Sequence, residues 1–325
     1  DDDGDEGTAT LTATIANVAP EVSANDEGFA FLEGEPFDLF LAEFVDTEPR
    51  EAHSATVDWG DGTVTEAVLE DGGTFGQVFG GHRYEDDGVY TVTVTVTDED
   101  GGAGSAQLQV TVDNVAPVGV DDAYTTREDD DLVITDPALG VAGNDLDVAG
   151  DVLRTVLDTG PTSGTLELAE DGTFVYRPAA DSFGRDSFTY RLADDDGGAF
   201  PEPVTVTIDV LSVNDPPVID IVSDALSYDE DVGVVEVPGF LLGVSPGPAN
   251  ESRQPVTFPR IVAVDRPELF VEGPFLAEDA LVFQAAPDAF GTATVTLEAV
   301  DQGGTANGGQ DRGTRTFTIT LNALA

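Results

Sequence analysis

Residues 98–117, DEDGGAGSAQLQVTVDNVAP, repeat residues 1–20, DDDGDEGTATLTATIANVAP, without a gap. The two stretches share Asp1/Asp98, Asp3/Asp100, Gly4/Gly101, Gly7/Gly104, Leu11/Leu108, Asn17/Asn114 and a closing Val-Ala-Pro. Acidic composition alone does not give a match of that length, and internal periodicity sets the architecture before any local motif does. Looser versions recur at 194–217 and 301–325. Each is an acidic Gly loop leading into an alternating strand, and the first three then reach an Asn and Pro junction. The text predicts three units, 18–115, 116–215 and 216–325, each of ordinary domain size at about 100 residues. Residues 1–17 read as the last strand of a preceding domain, so the chain reads as a window on a longer repetitive one.

The repeats are written in period two. YTVTVTVTD (90–98), PVTVTIDV (203–210) and ATVTLEAVD (293–301) alternate apolar and polar residues between Gly, Asp and Pro. This is the pattern of half-buried strands joined by turns. The expected fold is all-β: tandem immunoglobulin-like β-sandwiches of about seven strands each, in an elongated string. The ordered alternation also argues against disorder, which high charge and low hydrophobicity would otherwise signal.

Sixty-five acids stand against twelve bases, a formal charge of −53, and every base is Arg. Such a surface repels nucleic acid and anionic lipid and attracts cations. No apolar run is long enough to span a membrane as a helix. Cysteine is absent, which removes disulfides and thiolate metal sites and is compatible with an extracellular setting. With only His53 and His82, a nucleophile–histidine catalytic arrangement has almost no material, and no motif supports paired-carboxylate catalysis.

The first unit contains VDWGDG (57–62) and then GHRY (81–84) ahead of DDGVYTVTVTVTD (86–98). These motifs resemble the polycystic-kidney-disease (PKD) domain, an immunoglobulin-like sandwich of bacterial surface proteins and secreted enzymes. Trp59, His82 and Tyr84 read as core and strand-edge packing. Some bacterial members of that family bind calcium, and the resemblance implies Asn17, Asp46, Asp98 and Asp100 as ligands, with Asp58 a weaker match. The second unit, with GTLELAEDGTFVYRP (164–178) and DSFTY (186–190), is similar to the cadherin-like repeats of very large bacterial adhesins. The third resembles a related, more diverged immunoglobulin-like repeat.

Calcium takes six to eight oxygens from carboxylates, amides, carbonyls and water. In NDLDVAGD (144–151), Asn144, Asp145, Asp147 and Asp151 cluster around a Gly turn. At the junctions, Asn17, Asn114 and Asn214, the last followed by Asp215, precede short Pro-containing linkers. An isolated Glu follows each: Glu33, Glu128 and Glu230. Acidic Gly loops return near the unit ends with Asp98 and Asp100, Asp194 and Asp196, and Asp301. By resemblance to cadherins these positions clamp calcium between domains. The competing reading is salt adaptation, which spreads acids over strand faces, whereas these acids recur at turns and boundaries. The match of NES (250–252) to a glycosylation acceptor is short enough to arise by chance.

The expected function is a calcium-stabilised structural or adhesive segment of a large secreted bacterial surface protein, a stalk, matrix fibre or filament without catalysis of its own. Its expected partners are other repeats of the same chain, lateral copies in a fibre and a surface ligand. The alternative is an accessory substrate-binding region of a secreted hydrolase, which an exposed aromatic strip would favour. Phe29, Phe31, Phe37, Phe40 and Phe44 are instead read as core.

Overall fold

The structure is a computed structural model describing residues 10–13, 16–47, 52–148 and 151–324. Strands hold about 53% of the residues and helical turns about 4%, so the chain is all-β, built of tandem sandwiches. Most of the expected opening strand lies outside the described residues, while 10–13 take no regular structure. The chain forms two compact units. One comprises residues up to Val120 with Asn144–Thr155 and Arg191–Pro203; the other comprises Asp121–Gly143, Val156–Tyr190 and the chain from Val204 onward. The second predicted repeat is therefore divided: its loops 144–155 and 191–203 gather with the first.

In the first unit, one sheet orders Glu21–Ala24, Phe37–Val45, Phe75–His82 and Val68–Asp71. The other orders Phe29–Leu32, Ala103–Asp113, Gly88–Thr97, Ser54–Asp58 and Val64–Glu66. The alternation in the sequence decides the faces, since side chains along a strand point alternately to either side. Val92, Val94 and Val96 are fully buried, while the threonines between them face outward. Trp59 is buried and donates from Nε1 to Thr65 Oγ1 at 2.9 Å. Tyr84 crosses beneath it and donates from Oη to the Trp59 carbonyl at 2.8 Å.

In the second unit, Asp122–Arg127, Val204–Leu211 and Gly184–Ala193 are neighbours in one sheet. Leu132–Ile134, Phe174–Pro178 and Gly164–Leu168 form another. The last predicted repeat has its own pair of sheets. Ala225–Asp229, Arg312–Asn322, Gly291–Val300 and Arg260–Val264 form one, and Val234–Val237, Ala280–Ala285 and Phe270–Ala277 the other. Phe240, Phe283, Phe317 and Ile319 lie between them.

One pairing recurs three times and positions the sites. An early strand lies parallel to the last strand of its repeat: Phe29–Leu32 on Ala103–Asp113, Asp122–Arg127 on Val204–Leu211, and Ala225–Asp229 on Arg312–Asn322. Parallel strands finish at the same end of a sheet. Each early strand ends at one of the isolated glutamates, which is thereby laid beside the exit from its repeat.

Candidate cation-binding centres

The glutamates are fixed in the same way. The amides of Glu33, Glu128 and Glu230 donate to the carbonyls of Asp113, Leu211 and Asn322. Their Oε1 atoms accept from the amides of Val115 (2.6 Å), Val213 (2.5 Å) and Leu324 (2.7 Å). Glu33 and Glu128 are buried at 1% and 2% exposure.

In the first unit, single carboxylate oxygens of Glu33, Asp86 and Asp87 lie within 4.8 Å of one another, as do those of Asp86, Asp151 and Asp196. Asp86 joins the two groups. The turn carrying it is held by Tyr90, whose hydroxyl donates to the Asp86 and Asp87 carbonyls. Asp194 shapes the loop opposite, its Oδ1 accepting from the amides of Asp196, Gly197 and Gly198. Around this centre, Glu33 Oε2, Asp147 Oδ2, Asp151 Oδ2, Asp194 Oδ2 and both polar atoms of Asn114 are buried without a hydrogen-bond partner.

Like charges brought together out of water resist ionisation. Burial, then Glu33, Asp147, Asp196 and Asp194, push the Asp151 carboxyl up to about 6. Burial is the first cause of upward shifts at Glu33, Asp147 and Asp196 as well. Asp186 shows that burial alone does not do this. At 4% exposure it accepts from Thr162 (amide and hydroxyl), the Ser163 and Ser187 amides and the Tyr176 hydroxyl. Against the burial that would raise it, those donors hold its carboxyl below the usual range. The clustered acids have no such donors, and oxygens without donors suit a hard cation.

In the second unit, Asp129, Asp181 and Asp215 form a further group within 4.8 Å. Asp129 (φ 63°) and Asp181 (φ 55°) adopt the left-handed conformation that Asp tolerates better than most residues. The Asp181 amide donates to Asp129 Oδ1 at 3.1 Å. Burial, then Asp129, Asp181 and Glu128, raise the Asp215 carboxyl.

Other predicted positions have different surroundings. Asn17 donates to both oxygens of Asp98, and Asp100 is exposed. Asp145 accepts from the Val120 amide at 2.8 Å, and Asp58 from the Gly60 amide at 3.0 Å. Asp46 pairs with His53, whose Nε2 lies 3.2 Å from it and whose Nδ1 lies 3.1 Å from Asp71. Asn214 and Asp301 meet each other at 3.0 Å. Asp86, Asp87, Asp129 and Asp181 were not among the predicted ligands. Asp86 and Asp87 sit in the quoted DDG turn, and Asp129 follows a predicted Glu, but the spacing gave no reason to bring them to a metal.

The family comparisons agree with the order of domains. A profile described as the PKD domain matches residues 17–112, and one described as the bacterial cadherin-like domain matches 114–211. The chain carries a PKD domain followed by a bacterial cadherin-like domain. Glu33, Asp86 and Asp87 belong to the PKD domain; Asp151 and Asp196 belong to the cadherin-like domain. Among solved structures, the chain is similar to human CDH23 EC21-23, at 15% identity over 93% of this chain and 100% of that one (TM-score 0.42). It is also similar to mouse protocadherin-24 EC1-3, at 14% over 92% and 98% (TM-score 0.35). An endo-fucoidan hydrolase of glycoside hydrolase family 107, MfFcnA4, is similar at 16% over 95% of this chain (TM-score 0.29). The chain spans 45% of that hydrolase's length. No curated protein matches the chain.

Proposed function

We propose that this chain is a calcium-stabilised structural segment of a large secreted bacterial surface protein, with no catalytic role of its own. The observation that carries the reading is the gathering of buried carboxylates without donors between the loops of the PKD and cadherin-like domains: Glu33, Asp86, Asp87, Asp147, Asp151, Asp194 and Asp196. Removing their mutual repulsion needs positive charge, and no arginine supplies it there: among the described residues these acids make no ion pair with one. Calcium would take Glu33, Asp86 and Asp87 from one domain and Asp151 and Asp196 from the next, fixing the loops on either side of the short Pro-containing linker. The same logic extends to Asp129, Asp181 and Asp215.

The accessory-region alternative gains no observation from the aromatic residues that could have carried it. Phe44 is fully buried, Phe29, Phe31 and Phe37 pack on the core of the first unit, and Phe40 packs against Phe79.

The test is a thermal melt of chelator-stripped protein with millimolar calcium, beside sodium chloride of equal ionic strength. A ligand at a hundred times its dissociation constant stabilises the folded state by about 2.7 kcal/mol. A calcium-specific rise of several degrees is expected. Equal melts in calcium and sodium chloride would reduce the clusters to a salt-tolerant surface.

A further inference from the structure

Asn214, at 8% exposure, donates from Nδ2 to Asp301 Oδ1 at 3.0 Å and to the Gln310 carbonyl at 2.7 Å. Two acceptors fix the amide, because the flipped orientation would set oxygen against both. Its Oδ1 therefore faces the other way, where it is buried and has no donor. Gln254 Oε1 is buried without a donor as well. The two amide oxygens converge on one point: a Cβ at Gly303 would overlap Asn214 Oδ1 and lie 2.6 Å from Gln254 Oε1.

Three carboxylates surround that point. Asp301, at 5% exposure, uses Oδ1 for Asn214 and the Gly303 amide, leaving Oδ2 without a donor. Glu251, at 4% exposure, uses Oε1 for the Asp215 amide at 3.1 Å, leaving Oε2 without a donor. Asp215 Oδ2 is in the same state. A Cβ at Gly247 would overlap Glu251 Oε2, so glycine keeps that wall open. Burial, and then Asp215 and Asp301, raise the Glu251 carboxyl, which places these acids in one electrostatic group. None of the three carboxylates forms an ion pair among the described residues.

We propose that Asn214, Asp215, Glu251, Gln254 and Asp301 form an enclosed five-oxygen cage for a calcium-class divalent cation in the last repeat. This centre is separate from the open group of Asp129, Asp181 and Asp215, and it rests on the calcium reading given above. The donors are all oxygen, the chemistry of hard cations and not of zinc or copper. Three carboxylates and two amides are five of the six to eight ligands calcium takes, and water completes the set. Asp215 belongs to both groups, so its carboxylate couples them. A second link runs through the short 3₁₀ turn Ala249–Glu251. Glu251 faces the cage, and the adjacent Asn250 donates to Glu128 Oε2 at 3.2 Å. Filling the cage thus orders the turn that reaches Glu128.

The experiment counts calcium bound per chain, by equilibrium dialysis with labelled calcium, in the unsubstituted protein and in Glu251→Gln, Gln254→Glu and Asp129→Asn. Glu251→Gln should weaken one site at least tenfold and leave the others unchanged. Gln254→Glu, which adds a carboxylate to the cage, should tighten that same site. Asp129→Asn should weaken a different one. Unchanged number and affinities in both the Glu251 and Gln254 variants would overturn the cage while leaving the calcium function standing. A chain that binds no calcium beyond a sodium control would overturn both.

Discussion

Oε1 of Glu33 accepts from the amide of Val115 at 2.6 Å, across 82 positions of sequence. The same bond closes the next repeat between Glu128 and Val213, and the last between Glu230 and Leu324. One oxygen of each glutamate is thus spent on the backbone leaving the repeat. At Glu33 the other oxygen is buried without a donor. That division of labour makes the response to Glu33→Gln reverse with calcium. The amide keeps an acceptor for Val115 and removes one charge from the cluster. Chelated protein should melt at the same temperature or slightly higher, while the calcium-dependent gain should shrink by several degrees, the scale of about 1 kcal/mol in a domain this size. A parallel loss with and without calcium would make Glu33 a structural strap alone.

The pH profile of the chelated protein follows from acids whose ionisation is harder in the fold than in the unfolded chain. Glu33, Asp147, Asp151 and Asp196 are all raised, Asp151 to about 6. The folded state holds their protons more tightly, so stability falls as pH rises from about 4 through 6. Calcium binds the ionised forms and should remove that fall. Melts at pH 4.5 and 7.0 check this: the chelated protein should be less stable at pH 7.0, and the calcium effect should be larger there. A calcium effect that grew as pH dropped would contradict the assignment.

His53 gives the opposite kind of dependence within the PKD domain. Its ring is buried, and both nitrogens face carboxylates, Asp46 and Asp71. A neutral imidazole can donate to only one of them. Burial opposes the charge, but Asp71 and Asp46 outweigh it and raise the pKa. The stabilisation is complete below pH ~6.5 and is lost as pH rises through the folded value. Proton NMR should show His53 titrating above the usual range. His53→Phe should cost on the order of 3 kcal/mol at pH 6 by leaving two acids unpaired, and less at pH 9.

Trp59 is the only tryptophan, so its fluorescence reports the PKD domain alone. Tyr84→Phe removes the donor to the Trp59 carbonyl and should cost about 1–3 kcal/mol. The loss should appear in the Trp59 melt. An unchanged melt would mean that the tyrosine serves by ring packing alone.

The strand pattern was legible because alternation is local: Val92, Val94 and Val96 announce their face without knowledge of any neighbour. The glutamates were legible because they repeat, and parallel pairing then brought all three to equivalent bonds. Asp86 and Asp87 were not, since their role depends on meeting loops that follow by more than sixty residues. Glu251 and Gln254 lie in an irregular turn with no motif, and only tertiary packing shows their oxygens facing Asn214. Asp46 carried a ligand-like position but faces a histidine, a pairing that its flanking sequence does not encode.

The parallel pairing of early and last strands has a mechanical consequence. Tension along the chain enters a repeat near one of these strands and leaves through the other. Strands that point the same way are then dragged lengthwise past each other, and every rung of their ladder takes load together. A hairpin pulled from its open end parts rung by rung instead. Each repeat therefore meets a pull in shear, with its glutamate pinned at the exit where the load leaves.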